Sequence, residues 1–214
     1  MSHVYSRLSG YGWSLLPYAP YLFERVADAP ETTVRVIRER PAEVWSVRVD
    51  VEKDPPHFVA CEAPAPDDVV ELTPGPAGPW RIETSVYTIA WPVGFAISST
   101  PEGAPSAVDL IGPEGALVFV QGPFPAASVV PQDRMIGPGQ RLASSGESSR
   151  HRWIELSYEH DGGPWVQRHY VFALSAEHVL VTTAQAPADR RALVVTAADG
   201  VMASIAAAGT APGR

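Results

Sequence analysis

Asparagine is absent from this 214-residue chain, Lys53 is the one lysine, and Cys61 is the one cysteine. Without asparagine there is no N-glycosylation acceptor and no Asn-Gly hairpin turn. A lone cysteine excludes an internal disulfide. Its acidic neighbours Glu62 and Asp54 disfavour the thiolate, so Cys61 is read as a buried, inert thiol rather than a nucleophile. Long apolar runs are missing too: nothing approaches the ~18 to 20 residues that cross a bilayer, and the opening MSHVYSRLSGYGWSLLPYAP has no apolar stretch following a basic cluster. That predicts no membrane association and a cytoplasmic location. Cationic patches are equally scarce. The net charge is -8, and the densest basic group, Arg35, Arg38 and Arg40, is interrupted by Glu31 and Glu39, which argues against nucleic acid as a partner. The near-exclusive use of arginine among basic residues fits a GC-rich bacterial genome.

What the chain does have is an apolar fraction of 45%, enough for a core, and a length that allows one domain or one domain with a sizeable extension. Residues 1–30 carry Tyr5, Tyr11, Trp13, Tyr18, Tyr21 and Phe23, and Pro17 and Pro20 restrict helix there to a short piece over 21–27. From Thr32 the period becomes two. Val34 and Val36 alternate with arginines, then Trp45, Val47, Val49 and Val51 alternate with Ser46, Arg48, Asp50 and Glu52, which predicts a hairpin across the short RERPAE connection. Short strands are expected over 57–61 and 69–72. The segment TPGPAGP, residues 73–79, holds three prolines and two glycines and is read as a module boundary. Beyond it the pattern predicts strands over 80–90, 95–98, 107–110 and 116–121, then an irregular region over 123–149.

The clearest local signal is HRWIELSYEH, the turn DGGP and WVQRHYVFAL, two long antiparallel strands. A further strand is expected over 178–184. PADRRALVVTAADGVMASIAAA reads as a helix with Pro187 in its first turn and Leu193, Ala197, Val201 and Ile205 on one stripe. Many antiparallel strands closed by a helix predict the α+β class. No period of ~20 to 50 residues is present, which excludes solenoids and propellers.

The stretches VYTIAWPVGFAISS and AVDLIGPEGALVFVQG, followed after a loop by HYVFALSAEHVLVTTAQAPADRRALVVTAADGVMASI, together resemble the Mog1/PsbP-like fold, including bacterial members of the DUF1795 type. The matching positions are Tyr87, Pro92 and Phe95 at the opening. At the close they are Val179, Val181, Thr183, Ala186 and Pro187, then Asp199, Val201, Ser204 and Ile205, and the likeness spans residues 82–208. The resemblance implies an antiparallel sheet flanked by helices and used to bind other proteins, as in adaptors for a GTPase, assembly factors of photosynthetic complexes, lipoproteins and chaperones of secreted effectors. It carries over no catalytic residue. On this reading residues 1–79 form an aromatic arm and β-hairpin extension, 80–209 the Mog1/PsbP-like α+β domain, and 210–214 a disordered tail.

Candidate chemistry concentrates in 151–170. On a strand, His151, Glu155 and Glu159 share a face with Trp153, His160 points the other way, and Asp161 sits in the turn. A hairpin placing His169 opposite this set makes a His/Glu metal cluster conceivable, yet the same alternation is what a solvated strand face shows, and the second reading is preferred. Ser148 in SSGESS lacks the strand-to-helix elbow that exposes a nucleophilic serine, and GPGQR and DGGPW follow neither Walker nor Rossmann spacing. No catalytic, cofactor or metal residue is therefore assigned. The expected function is that of a non-enzymatic cytoplasmic adaptor or chaperone for another protein, such as a secreted effector. Its expected contacts are Tyr11, Trp13, Tyr18 and Trp165. Two alternatives stand beside it: a structural subunit of a larger bacterial assembly, and a metal- or small-ligand-binding protein that uses the 151–170 hairpin. The oligomeric state is left open.

Overall fold

The computed structural model describes residues 6–17, 21–38, 42–54, 56–60, 70–98 and 107–208. Cys61, Tyr18 and the tail at 210–214 lie outside them. In chain order the strands are β1 (Arg7–Gly10), β2 (Trp13–Pro17), β3 (Tyr21–Arg25), β4 (Thr33–Arg38), β5 (Glu43–Asp50), β6 (His57–Ala60), β7 (Val70–Pro74), β8 (Arg81–Glu83), β9 (Tyr87–Ala90) and β10 (Ala96–Ser98). They continue as β11 (Val108–Ile111), β12 (Leu117–Pro125), β13 (Arg141–Glu147), β14 (His151–His160), β15 (Gly163–Ala173) and β16 (His178–Pro187). The helix α1 (Arg191–Ser204) and the short β17 (Ala206–Ala207) close the chain.

Strand makes up 56% and helix 14%, and α1 with the 3-10 turn before it is the one long helical segment among the described residues. This corrects the expectation of an α+β fold flanked by helices: the chain is mostly antiparallel β-sheet. Residues 21–25, inside the stretch expected as helix, form β3: the apolar run Tyr21, Leu22 and Phe23 fits a strand as well as a helical turn, and pairing with β4 decides for the strand. Elsewhere proline or glycine interrupts many stretches, and the longest one free of both, 165–186, is held as β15 and β16 by pairing on both sides. Among the described residues only 188–204 turns helical at length.

The chain divides into two compact units, Met1–Pro105 with Ser204–Arg214, and Ser106–Ala203. In the first, strands pair in the order β17-β9-β8-β1-β2-β7 and, in a second series, β10-β3-β4-β5-β6. The β4–β5 hairpin forms as read from its alternation, with Val34 facing Val47 and Val36 facing Trp45. The β1–β2 hairpin turns on Tyr11-Gly12, both at positive φ (53° and 89°), the backbone of a two-residue type I′ turn. Gly10 just before it is indispensable, since a Cβ there would lie 2.9 Å from the Trp80 backbone. The segment 73–79 lies inside this unit, with β7 pairing back to β2 and β8 to β1.

In the second unit the order β13-β14-β15-β16-β12-β11 makes one antiparallel sheet. The irregular expectation for 123–149 is half right. Short 3-10 turns occupy Ala126–Ser128 and Gln132–Met135, but Arg141–Glu147 is a strand, because its exposed small residues pair along β14 where they need no apolar periodicity. The helix forms within the expected stretch, over Arg191–Ser204, while Ala206–Ala207 at its end is strand; its buried stripe is Val194, Ala198, Val201 and Met202, and Leu193 is exposed. The stripe read from spacing four is thus displaced by one residue from Leu193 and Ala197, as a true 3.6 period requires alternating steps of three and four.

Candidate functional site

Register fixes the chemistry of the second unit. The β14–β15 turn is Asp161-Gly162, both at positive φ (51° and 77°), so the hairpin loop has two residues, not the four of DGGP. Pairing then sets Glu155 opposite Arg168, Trp153 opposite Tyr170 and Ile154 opposite His169. Directly opposed residues share a face, so His169 lies on the other side of the sheet from Glu155 and the His/Glu cluster does not assemble. Nor do Trp153 and Trp165 oppose one another, since Trp165 faces Tyr158.

The face that carries Glu155 is covered by α1. Arg168 donates from Nε and Nη2 to Glu155 Oε2 at 3.0 and 2.6 Å, and Arg191 of the helix donates to Oε1 at 2.9 Å. Tyr170 donates its hydroxyl to Asp199 Oδ1 at 2.7 Å, a second tie between sheet and helix. The Arg168 guanidinium sits 4.1 Å above the Trp153 ring, in cation–π contact. The side chains of Arg168 and Glu155 are only 9% and 6% exposed. Burial opposes ionisation of Glu155, but the hydrogen bonds and charges of Arg191 and Arg168 outweigh it and hold its carboxyl below the usual carboxylate range. Burial, aided by the hydrogen bond to Asp199, pushes the Tyr170 phenol above its ordinary value. Both oxygens of Glu155 are thus committed to arginines, and this set serves as a clamp on α1 rather than a metal or acid–base centre. Among the described residues no group of three or more His, Cys, Asp or Glu could hold a metal ion.

The opposite face is built differently. At the hairpin tip Tyr158, His160 and Trp165 form a ring cluster, with His160 edge-on to Trp165 at 5.0 Å and Tyr158 6.4 Å from Trp165. Next comes an amide ladder. Gln140 of the loop before β13 donates to Gln167 Oε1 at 2.8 Å, and Gln167 donates to Gln185 Oε1 at 3.2 Å. Beyond the ladder His169 Nδ1 lies 3.0 Å from Thr183 Oγ1, and burial pushes the imidazole below its usual pKa. At the far end a cleft of about 270 Å³ is lined by Val129, Val171, Ala173 and Val179 with Glu147 and Arg152 among its polar residues. Ser148, at the same end, has Oγ 3.1 Å from His151 Nδ1. The hydroxyl also accepts from the backbone N–H of Arg150 and His151, which makes it the pivot of the β13–β14 turn and not a nucleophile.

The residues expected to touch a partner fall in different settings. Trp165 belongs to the ring cluster and is half-buried. Tyr11, in the first unit, is half-buried at its turn, edge-on to Trp80 at 5.7 Å, and donates to Glu31 Oε2 at 2.9 Å. Trp13 is half-buried and edge-on to Phe58 at 6.2 Å. Tyr18 lies outside the described residues. Reading by sequence missed Arg168 and Arg191 as counterions of Glu155, and Gln140, Gln167 and Gln185 as a ladder. The signal that would have found Arg168 is Asp161-Gly162 itself, because a two-residue turn dictates every opposed pair along the hairpin.

No protein-family model matches the chain, and no curated protein matches it. Among solved structures the chain is similar to LpqN, involved in cell envelope biogenesis of Mycobacterium tuberculosis, at 17% identity and a TM-score of 0.40, over 56% of this chain and 82% of that one. Among the described residues no helix is long and apolar enough to cross a membrane.

Proposed function

We propose that this is a non-enzymatic cytoplasmic binding protein, an adaptor or chaperone that takes an extended segment of another protein along the edge of its second unit. The observation that carries the reading is β13. It ends the strand order and pairs with β14 on one side. Its side chains, Arg141, Leu142, Ala143, Ser144, Ser145, Gly146 and Glu147, are mostly small and mostly exposed. Such an edge offers backbone N–H and C=O groups to an added strand, with affinity from main-chain hydrogen bonds and selectivity from neighbouring side chains. The ring cluster of Tyr158, His160 and Trp165 supplies apolar contact on the same sheet. The resemblance of residues 82–208 to Mog1/PsbP-like proteins, which bind other proteins, agrees with this reading. A bulge between Leu142 and Ser144 breaks the regular ladder and limits non-specific edge pairing.

The test starts from a photo-crosslinking side chain at position 145, which identifies the captured protein, and proceeds to hydrogen exchange on the reconstituted pair. New amide protection within 141–147 is the expected result. Of two successive residues in an edge strand only one turns its N–H outward, so either Ser144→Pro or Ser145→Pro, but not both, abolishes binding while the fold persists. Protection confined to the first unit, or binding that survives both variants, would overturn the reading.

A further inference from the structure

We propose that the cleft at the β13–β14 turn is a binding site for a small aliphatic zwitterion, an α-amino acid with a branched apolar side chain. Its walls come from elements of the second unit alone. Val171, Ala173 and Val179 supply an apolar floor from β15 and β16, and Ala126 and Val129 close it from the loop after β12. At about 270 Å³ it falls at the lower end of the ~300 to 1,000 Å³ typical of small-molecule pockets, so the occupant is smaller than a drug-sized ligand.

The charges on the rim choose the ligand's chemistry. Glu147 and Arg152 are directly opposed across β13 and β14, on the face that carries Val171. Both line the cleft, and none of the ion pairs among the described residues joins the two. Arg150 and His151 also line the cleft, but their side chains are engaged on the helix-covered face: the Arg150 guanidinium lies over the Phe172 ring at 4.8 Å, and the His151 ring is 5.8 Å from that of Tyr170. That leaves Glu147 and Arg152 as the anion and cation side by side above the apolar floor. A carboxylate seated on Arg152 and an ammonium seated on Glu147, with the alkyl group on Val171 and Val179, satisfy all three features together. A simple fatty carboxylate would meet Glu147 as a like charge, and an alkylamine would meet Arg152 in the same way.

Three isosteric probes test this on the full chain by amide NMR titration: leucine, 4-methylpentanoate, which lacks the ammonium, and 3-methylbutylamine, which lacks the carboxylate. Saturable shifts confined to the cleft residues are expected with leucine, with each singly charged probe weaker by about tenfold or more, as loss of one charge-assisted hydrogen bond implies. Arg152→Gln should reduce leucine binding to the level of the amine, and Glu147→Gln to the level of 4-methylpentanoate. If Arg152→Gln fails to fold, Ala126→Trp, which fills the mouth from the exposed loop side, should abolish binding by itself. The proposal is overturned by an absence of saturable shifts, by probes that bind equally, or by leucine binding that survives Ala126→Trp. Loss of leucine binding in these variants leaves strand capture along β13 measurable separately, since the crosslink at position 145 does not require the cleft.

Discussion

The two faces of the β14–β15–β16 sheet come from the same three strands and use polar residues to opposite ends. On the helix-covered face the charges are neutralised in place: Glu155 is held by Arg168 and Arg191, and Tyr170 by Asp199. Along the middle of the loop-covered face the polar groups are uncharged amides, a hydroxyl and an imidazole, with an aromatic cluster at one end and, at the other, an apolar cleft with Glu147 and Arg152 at its rim. A buried charge network is rarely the cheapest way to hold a helix, because desolvation offsets much of the Coulombic gain. Its effect is selectivity of placement: α1 has one azimuth at which Arg191 meets Glu155 and Asp199 meets Tyr170. An amide ladder places no such restriction on what approaches it. The comparison assigns docking of the chain's own helix to one face, and the proposals above set contact with other molecules on the other.

The sharpest way to break this assignment is Glu155→Ala. Removal of the carboxylate leaves the Arg168 guanidinium buried without its partner, and the expected loss is about 3 to 5 kcal/mol. Hydrogen exchange across β14–β16 should report it, with protection lost first along α1. Replacing both partners, Glu155→Met with Arg168→Met, should recover most of the stability, because no charge is then stranded. If the single variant costs no more than an exposed ion pair, the network is not the clamp described above.

A smaller effect is expected from Gly146→Ala. Gly146 opposes Trp153, and a Cβ on it would lie 2.7 Å from the indole, too close without displacing a ring that has little freedom to move. The added methyl should cost about 1 to 3 kcal/mol as overpacking, and it should shift Trp153 off Arg168. The expected signature is a change in tryptophan near-UV circular dichroism along with the loss of stability. Ser145→Ala, one residue along on the opposite face, should do neither.

These contrasts mark what could be read from the chain before its structure. Strand positions were legible wherever one face is buried, as in β4 and β5, because alternation of valine with arginine or serine has a single physical cause. β13 was not legible: its half-buried positions, Ser144 and Gly146, are small rather than apolar, so no hydrophobic alternation marks Arg141–Glu147 and its hydrogen bonds to β14 make it a strand. β3 was not legible as strand because Tyr21, Leu22 and Phe23 are consecutive apolar residues, which fit one turn of helix as well as a strand. The 151–170 hairpin was found, but its register was not. Loops of two and of four residues alike leave His169 opposed to an even-numbered residue of β14, so parity alone already set it on the face away from Glu155 and excluded the metal cluster. With Asp161-Gly162 as the loop, the same residues separate into a clamp on one face and an imidazole on the other. The ion pairs to Arg191 depend on how α1 lies on the sheet, information that no local pattern contains.

The smallest expected effect separates the faces by pH. Burial depresses the folded-state pKa of His169, so between that value and the ordinary ~6.5 the unfolded chain binds the proton more readily than the folded one. The contribution to stability is therefore complete above about pH 6.5 and is lost as pH falls through the folded pKa. Glu155 has the same sign but acts in a separate window. Its depressed carboxyl contributes fully above the unfolded carboxylate value, ~4.3, and fails only as pH drops through its own lower pKa. A shallow decline in melting temperature as pH falls below about 6.5 is thus assigned to the loop-covered face, and a steeper one as pH falls below about 4.3 to the helix-covered face. His169→Gln, which keeps a polar group toward Thr183 but cannot gain a proton, should flatten the first decline and leave the second intact. A first decline that persists in the variant would place the titrating group elsewhere and remove pH sensitivity from this face.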